Sequence, residues 1–283
     1  MTLRKKLFAG FLAGAMALTM AGCGSTSANT SADTSGVEAL LQKAEETMAG
    51  VTSMSSQMDM VIDMTLEDET FSTATTANIE GFYDPVKMKM DMTLSINGEE
   101  IQNYGMYVLQ DGDTLTSYMD LGGAWYAQPV DLGSISQYDA QQNMNLYLEN
   151  LQTFSEAGTE EVNGKSATII AGVLTGDSMK EAIASSGIES MSGEFGMTEE
   201  ELNNLFESLG DMPVRLWITD DGYVVKYELD MTEMMASLMS SMGTEDTGGI
   251  AFTKTMVSMT CDNFNAVEDF VIPADALAAE SLA

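Results

Sequence analysis

Val86-Lys87-Met88-Lys89-Met90-Asp91-Met92-Thr93-Leu94-Ser95-Ile96 decides the fold class of this chain. Apolar side chains stand at every second position and polar ones fill the gaps. Successive side chains of a β-strand point to opposite faces, so this pattern is a half-buried strand and not a helix. Working outward, Asn97-Gly98 is a two-residue hairpin turn leading into a strand at Ile101–Gln110. Asp111-Gly112 turns again into Thr114–Met119, and Gly122-Gly123 into a short strand around Trp125 and Tyr126. In the other direction Tyr83-Asp84-Pro85 joins the strand to Phe71–Phe82. Before that, Met58, Met60, Ile62, Met64 and Leu66 alternate with Gln57, Asp59, Val61, Asp63 and Thr65. The result is an antiparallel meander of six strands.

The meander is preceded by an amphipathic helix. Ser35 with Glu38 fits a capping box, Val37, Leu40, Leu41, Ala44, Met48 and Val51 form one stripe, and Gly50 closes it. After the meander, helices alternate with hairpins. Asp139 with Gln142 opens a helix whose stripe is Met144, Tyr147, Leu148, Leu151 and Phe154. Asn163-Gly164 joins Thr159–Val162 to Ser166–Leu174. Short helices follow, one around Met179 and Ile183 and one opened by Thr198 and Glu201. Val214, Leu216 and Ile218 pair across Asp220-Asp221-Gly222 with Tyr223, Val225, Tyr227, Leu229 and Met231. Thr232 caps a helix with the stripe Met235, Leu238, Met239 and Met242, a final strand runs from Ile250 to about Asn263, and Phe270-Val271-Ile272-Pro273 ends the fold. Eleven strands and about five helices without an internal linker predict one α+β domain over residues 37–283.

Composition removes most chemistry. The 283 residues hold 11 Lys plus Arg against 44 Asp plus Glu, a formal charge of −33, and no His. A nucleic-acid backbone needs clustered cations, so it is excluded as a partner. Absence of His removes the usual general base, the commonest metal ligand and every His-activated nucleophile. Gly-rich phosphate loops are absent as well. Asp111-Gly112-Asp113 and Asp220-Asp221-Gly222 read as turns, since neither has the spacing of a Ca²⁺ loop. No catalytic residues, metal site or cofactor are expected, and the protein is read as a non-enzyme.

Residues 1–22 carry an address. Arg4, Lys5 and Lys6 precede the apolar run Leu7–Met20, which is short for a membrane span, and the segment ends in Met20-Ala21-Gly22-Cys23. That ending resembles the lipobox of bacterial lipoproteins, with Met where Leu is usual. The resemblance implies cleavage of residues 1–22 as a signal peptide and diacylglyceryl modification (palmitate-type chains) of Cys23. Two acyl chains supply the two signals that stable anchoring needs, at ~0.8 kcal/mol per buried methylene. Residues 23–36 are almost entirely Ser, Thr, Ala, Asn and Gly, a flexible tether with a reach of ~20 Å. The expected location is the extracytoplasmic face of the cell membrane. Cys261, the only other cysteine, shares a strand face with Val257 and Met259 and reads as a small core residue.

A lipobox, a Ser/Thr tether, a leading helix, a meander with Gly123-Ala124-Trp125-Tyr126 near its end, and a closing Phe270-Val271-Ile272-Pro273 together resemble the LolA/LppX-like lipoproteins of the bacterial envelope, in their uncharacterised Gram-positive branch. The resemblance implies an antiparallel half-barrel sheet whose concave face is covered by helices and encloses an apolar cavity for a lipid-like ligand. It implies no catalytic residues.

The 25 methionines are the compositional anomaly. Met58, Met60 and Met64, then Met88, Met90 and Met92, share strand faces, while Met235, Leu238, Met239 and Met242 share a helical stripe. Three readings stand: simple core filling, a soft lining that repacks around apolar or amphiphilic ligands, and thioether coordination of Cu(I). Same-face positions of one strand lie ~7 Å apart, so a single strand does not bring three sulfurs to one ion. Two functions follow. The leading one is an anchored lipoprotein that binds a lipid-like ligand without catalysis. Its rival is a protein-interaction or envelope-sensor module on the same scaffold, with its cavity filled by its own side chains. The ligand, any protein partner and the oligomeric state are not written in the sequence.

Overall fold

The computed structural model describes residues 34–66, 69–112, 114–130, 140–175, 211–241 and 250–279. The chain divides into two units, Met1–Ser31 and Ala32–Ala283, and every described residue belongs to the second. The described elements run α1 (Thr34–Met48), β1 (Ser53–Leu66), β2 (Glu69–Tyr83), β3 (Val86–Ile96), β4 (Glu99–Asp111), β5 (Thr114–Asp120), β6 (Trp125–Val130), α2 (Ala140–Asn150), β7 (Gln152–Val162), β8 (Lys165–Leu174), β9 (Met212–Thr219), β10 (Val224–Asp230), α3 (Thr232–Ser241), β11 (Ile250–Asp262) and α4 (Ala274–Leu277).

All eleven strands join one antiparallel sheet in the order β6-β5-β4-β3-β2-β1-β11-β10-β9-β8-β7. Two meanders therefore run outward from a central pairing of β1 with β11, and that pairing brings Ser56 opposite Cys261 and Met58 opposite Met259. The two edge strands, β6 and β7, do not pair, so the sheet is an open half-barrel. Its turns are those the dipeptides predict: Asn97 (φ 51°) with Gly98 (φ 81°), and Asn163 (φ 50°) with Gly164 (φ 75°), occupy the left-handed region that a tight hairpin requires.

Each strand gives one face to the core. One row crosses the sheet as Tyr104, Met92, Ala77, Met58, Met259, Tyr227, Leu216 and Ile170. Onto this inner face α1 lays Val37, Leu41, Ala44 and Met48, and α2 lays Ala140, Met144 and Tyr147, all in one buried cluster. Tyr147 meets Tyr227 edge-on with ring centroids 5.2 Å apart. The outer face is polar except where the chain covers it. There Phe270 packs tilted against Phe82 and Tyr107, and the Lys87 ammonium lies 4.5 Å from the Phe270 ring. A smaller cluster of Trp217, Val225, Val162 and Ala167 forms under the β7–β8 side.

Two sequence expectations are corrected. The stripe Met144–Phe154 is not one helix: α2 stops at Asn150 and β7 begins at Gln152. Leu151 leaves the helix to fill the space over Gly172, where an added Cβ would lie 2.6 Å from the Leu151 side chain, while β7 covers the edge of β8 from Gln152 onward. Pairing with a sheet edge overrides local helical periodicity. Thr232, expected as a cap, instead takes a hydrogen bond from the β11 backbone, Thr255 N to Thr232 Oγ1, 3.0 Å. α1 begins at Thr34, one residue before the expected cap Ser35, while the expected helices around Met179 and after Thr198, and the cap at Asp139, fall outside the described residues.

Candidate inner-face site

The inner face is built in two zones. Along β3 the inward residues Met88, Met90 and Met92 are 0, 0 and 3 % exposed, yet Ile96 on the same face reaches 38 %. β1 repeats the gradient: Met54 and Met58 are buried, while Met60, Ile62 and Met64 are half-buried. The first zone lies under α1 and α2. Helix α1 is held there by its own polar side: Thr47 Oγ1 donates to Asp221 O at 3.2 Å, Lys43 donates to Asp220 O, and the Gln141 amide of α2 donates to Met48 O at 3.2 Å. Gly222 makes this approach possible, since with φ +90° an added Cβ would sit 2.6 Å from Thr47 Oγ1 and 2.9 Å from Lys43 O.

The second zone has a different composition. Register places Leu94, Thr75, Met60, Val257, Leu229 and Val214 in one row, and Ile96, Thr73, Ile62 and Thr255 in the next. Met231 and Met234, at the start of α3, pack against the same core. The root of α3 is fastened to β11, where Met231 N donates to Thr255 O at 2.8 Å, and to the end of β10, where Asp230 Oδ1 accepts from Thr232 N at 3.1 Å. Thr255 is 3 % exposed, its backbone is engaged on both sides, and its Oγ1 has no hydrogen-bond partner. That residue was not singled out in the sequence, although it is the one polar inward position of the series Thr255, Val257, Met259, Cys261.

The residues expected from sequence distribute as follows. Met58, Met88, Met90 and Met92 are buried in the first zone. Met60 and Met64 stand half-buried in the second, and Met235 is half-buried on α3. α3 covers Leu238 and Met239 by backbone only; Met242 and Cys23 lie outside the described residues. Cross-strand partners put Met90 beside Met106, and Met106 beside Met119, on the inner face. Cys261 is fully buried, and burial, with the neighbouring Asp262 charge adding to it, pushes its thiol well above the ordinary range. Burial does the same to the Tyr147 phenol. Both groups are inert at neutral pH.

Two polar grooves, of about 470 and 410 Å³, lie on the sheet and share Asn78 and Asp91. Their floor is mainly outward-facing amides, hydroxyls and paired charges, among them Lys89 with Glu80 at 3.4 Å. The first also touches Ser56 and Ile79, and the second Met92 and Tyr104, where the backbone carries the inner-face rows. Among the described residues no group of His, Cys, Asp or Glu is arranged to hold a metal ion, and no described helix is long and apolar enough to cross a membrane.

The described domain is thus an open antiparallel half-barrel with helices packed on its apolar inner face. The chain belongs to a family of unknown function, DUF6612, whose model matches residues 36–281. No curated protein matches it. Among solved structures it is similar to the lipoprotein LppX of Mycobacterium tuberculosis, with 15 % identity over 83 % of this chain and 98 % of that one and a TM-score of 0.43. It is also similar to LprF of Mycobacterium bovis, with 13 % identity over 86 % of this chain and 99 % of that one and a TM-score of 0.48. LppX is a namesake of the family that the motifs resemble.

Proposed function

We propose that this protein is a lipoprotein anchored through Cys23 to the outer leaflet of the cell membrane, with residues 37–283 as a non-catalytic domain that binds an apolar or amphiphilic ligand. The observation that carries the reading is the burial gradient along β1 and β3 on the apolar inner face, while Val257, Leu229 and Val214 in the same row as Met60 stay buried. A face that only had to stabilise the fold gains most by being covered along its whole length, at roughly 25 cal/mol per Å². Here Met60, Ile62, Met64 and Leu94 are only half covered, although the same strands are fully covered a few residues earlier. Met-rich apolar surface of this kind adapts to guests of variable shape. In this reading Met60, Met64 and Met235 line the site, Met58, Met88, Met90 and Met92 form its rigid floor, and Leu238, Met239 and Met242 belong to the covering helix.

A second reading has its own support. The complete burial of Met58, Met88, Met90 and Met92 under α1 and α2 is what a domain filled by its own side chains would display, so an interaction or sensor module on the same scaffold is the rival. Native mass spectrometry of the full chain purified from its own membrane separates the two. Co-purified lipid at near-stoichiometric amounts is the expected result. Material that is uniformly free of lipid, and that takes none up from added vesicles, would refute the binding reading in favour of its rival.

A further inference from the structure

Resting on the binding reading above, we infer that the ligand is an uncharged amphiphile, of the acyl-ester or acylglycerol class, whose carbonyl or hydroxyl oxygen is held by Thr255 at the root of α3. The first argument is charge. By register the inward rows of the paired strands contain no Lys or Arg, and the charged residues that share them are acids, among them Glu99 opposite Ile96, Glu69 opposite Leu66, and Glu156 opposite Ile170. Bringing a carboxylate or phosphate onto such a surface costs several kcal/mol of desolvation without a cation to offset it. The groups at the helix root reinforce this, because Asp230 already accepts the Thr232 N–H and Glu233 adds negative charge in the first turn.

The second argument is the distribution of hydroxyls. The fully buried zone also carries hydroxyls, those of Ser56 and Ser117, and the second zone places three, Thr73, Thr75 and Thr255, around Met60, Ile62 and Leu94. A hydrocarbon guest alone has no use for them. Thr255 is the decisive member. Its N–H and C=O fasten α3, while its hydroxyl, at 3 % exposure, bonds to nothing. Buried polar atoms almost always find a partner, and an orphan that persists in a fold marks a place where a partner arrives. A hydroxyl donates to an ester carbonyl or exchanges hydrogen bonds with an alcohol, and it serves an uncharged head as well as any side chain can. Acyl chains would then lie over Met60, Ile62 and Leu94, with α3 closing on them from its fastened root.

The test uses the full-length chain, freed of lipid and desalted after incubation with radiolabelled methyl oleate, oleate or hexadecane at pH 8. Methyl oleate and oleate share one chain and differ in charge. Methyl oleate should be retained about tenfold over oleate, a difference of ~1.4 kcal/mol. Thr255→Val should cut methyl oleate retention severalfold without changing hexadecane retention, and Thr255→Ser should restore it. The Val variant keeps side-chain shape and both backbone bonds to α3, so an unchanged circular dichroism spectrum is expected and separates loss of binding from loss of fold. Equal retention of oleate and methyl oleate, or wild-type methyl oleate retention by Thr255→Val, overturns this inference and leaves lipid binding standing. Retention of none of the three probes overturns both.

Discussion

Replacing Gly222 by Ala should be among the most destabilising single-methyl additions in this protein. Two separate costs are involved. At φ +90° an L-residue pays ~1–2 kcal/mol for the left-handed region alone. The new Cβ would also stand 2.6 Å from Thr47 Oγ1 and 2.9 Å from the Lys43 carbonyl, so α1 must retreat or the turn must bend. Overpacking of that kind costs ~1–3 kcal/mol, and losing the Thr47–Asp221 hydrogen bond adds ~1 kcal/mol. The sum is about 3–6 kcal/mol, a large part of the ~5–15 kcal/mol by which a domain is stable. Gly98→Ala is the internal control. Its φ is +81° with nothing within 4 Å of the added Cβ, so it should pay only the backbone part, about 1–2 kcal/mol. Urea unfolding of the two variants at unchanged m-value reads the difference directly. If the two substitutions cost the same within ~0.5 kcal/mol, the close approach of α1 to the β9–β10 turn contributes nothing, and the reasoning that this turn holds the helix over the inner face is wrong.

Other outcomes follow from the same structure. Cys23→Ala should release the protein from the membrane or leave it unprocessed; equal detergent partitioning of variant and wild type would remove the anchor from the account. Cys261→Ser should cost on the order of 1–3 kcal/mol by burying a hydroxyl, and thiol reagents should label the native protein slowly; fast labelling would contradict its complete burial. Because burial raises both Cys261 and Tyr147 above their ordinary values of 9.0 and 10.0, only the unfolded chain loses these protons just above those values. Stability is therefore fully present below about pH 9 and falls as pH rises beyond it, and Cys261→Ala should blunt the early part of that fall in a pH series of denaturation midpoints. In hydrogen exchange, α3 should be less protected than β3, least so towards Ser241, and should gain protection when a neutral lipid is added. Exchange equal to that of β3 with and without lipid would make α3 fixed core.

Local chemistry was enough to place most of the elements. The Val86–Ile96 alternation, the Asn97-Gly98 and Asn163-Gly164 turns and the stripe of α1 each depend on a backbone period or on two residues at a bend, and they stand in the structure where the sequence puts them. Which methionines are sealed and which are half open could not be read that way. Met60 and Met88 both stand at inward positions of alternating strands, and they differ because α1 and α2 pack in one buried cluster with Met88 while Met60 lies beyond it. The same holds for Leu151, drawn out of a helical stripe to fill the space over Gly172, and for Thr255, whose isolation depends on β1 pairing with β11 and on α3 starting where it does. Periodicity and turn type are properties of neighbours along the chain. Burial, register between remote strands and an unsatisfied hydroxyl are properties of what the fold brings beside a residue, and only the tertiary structure decides them.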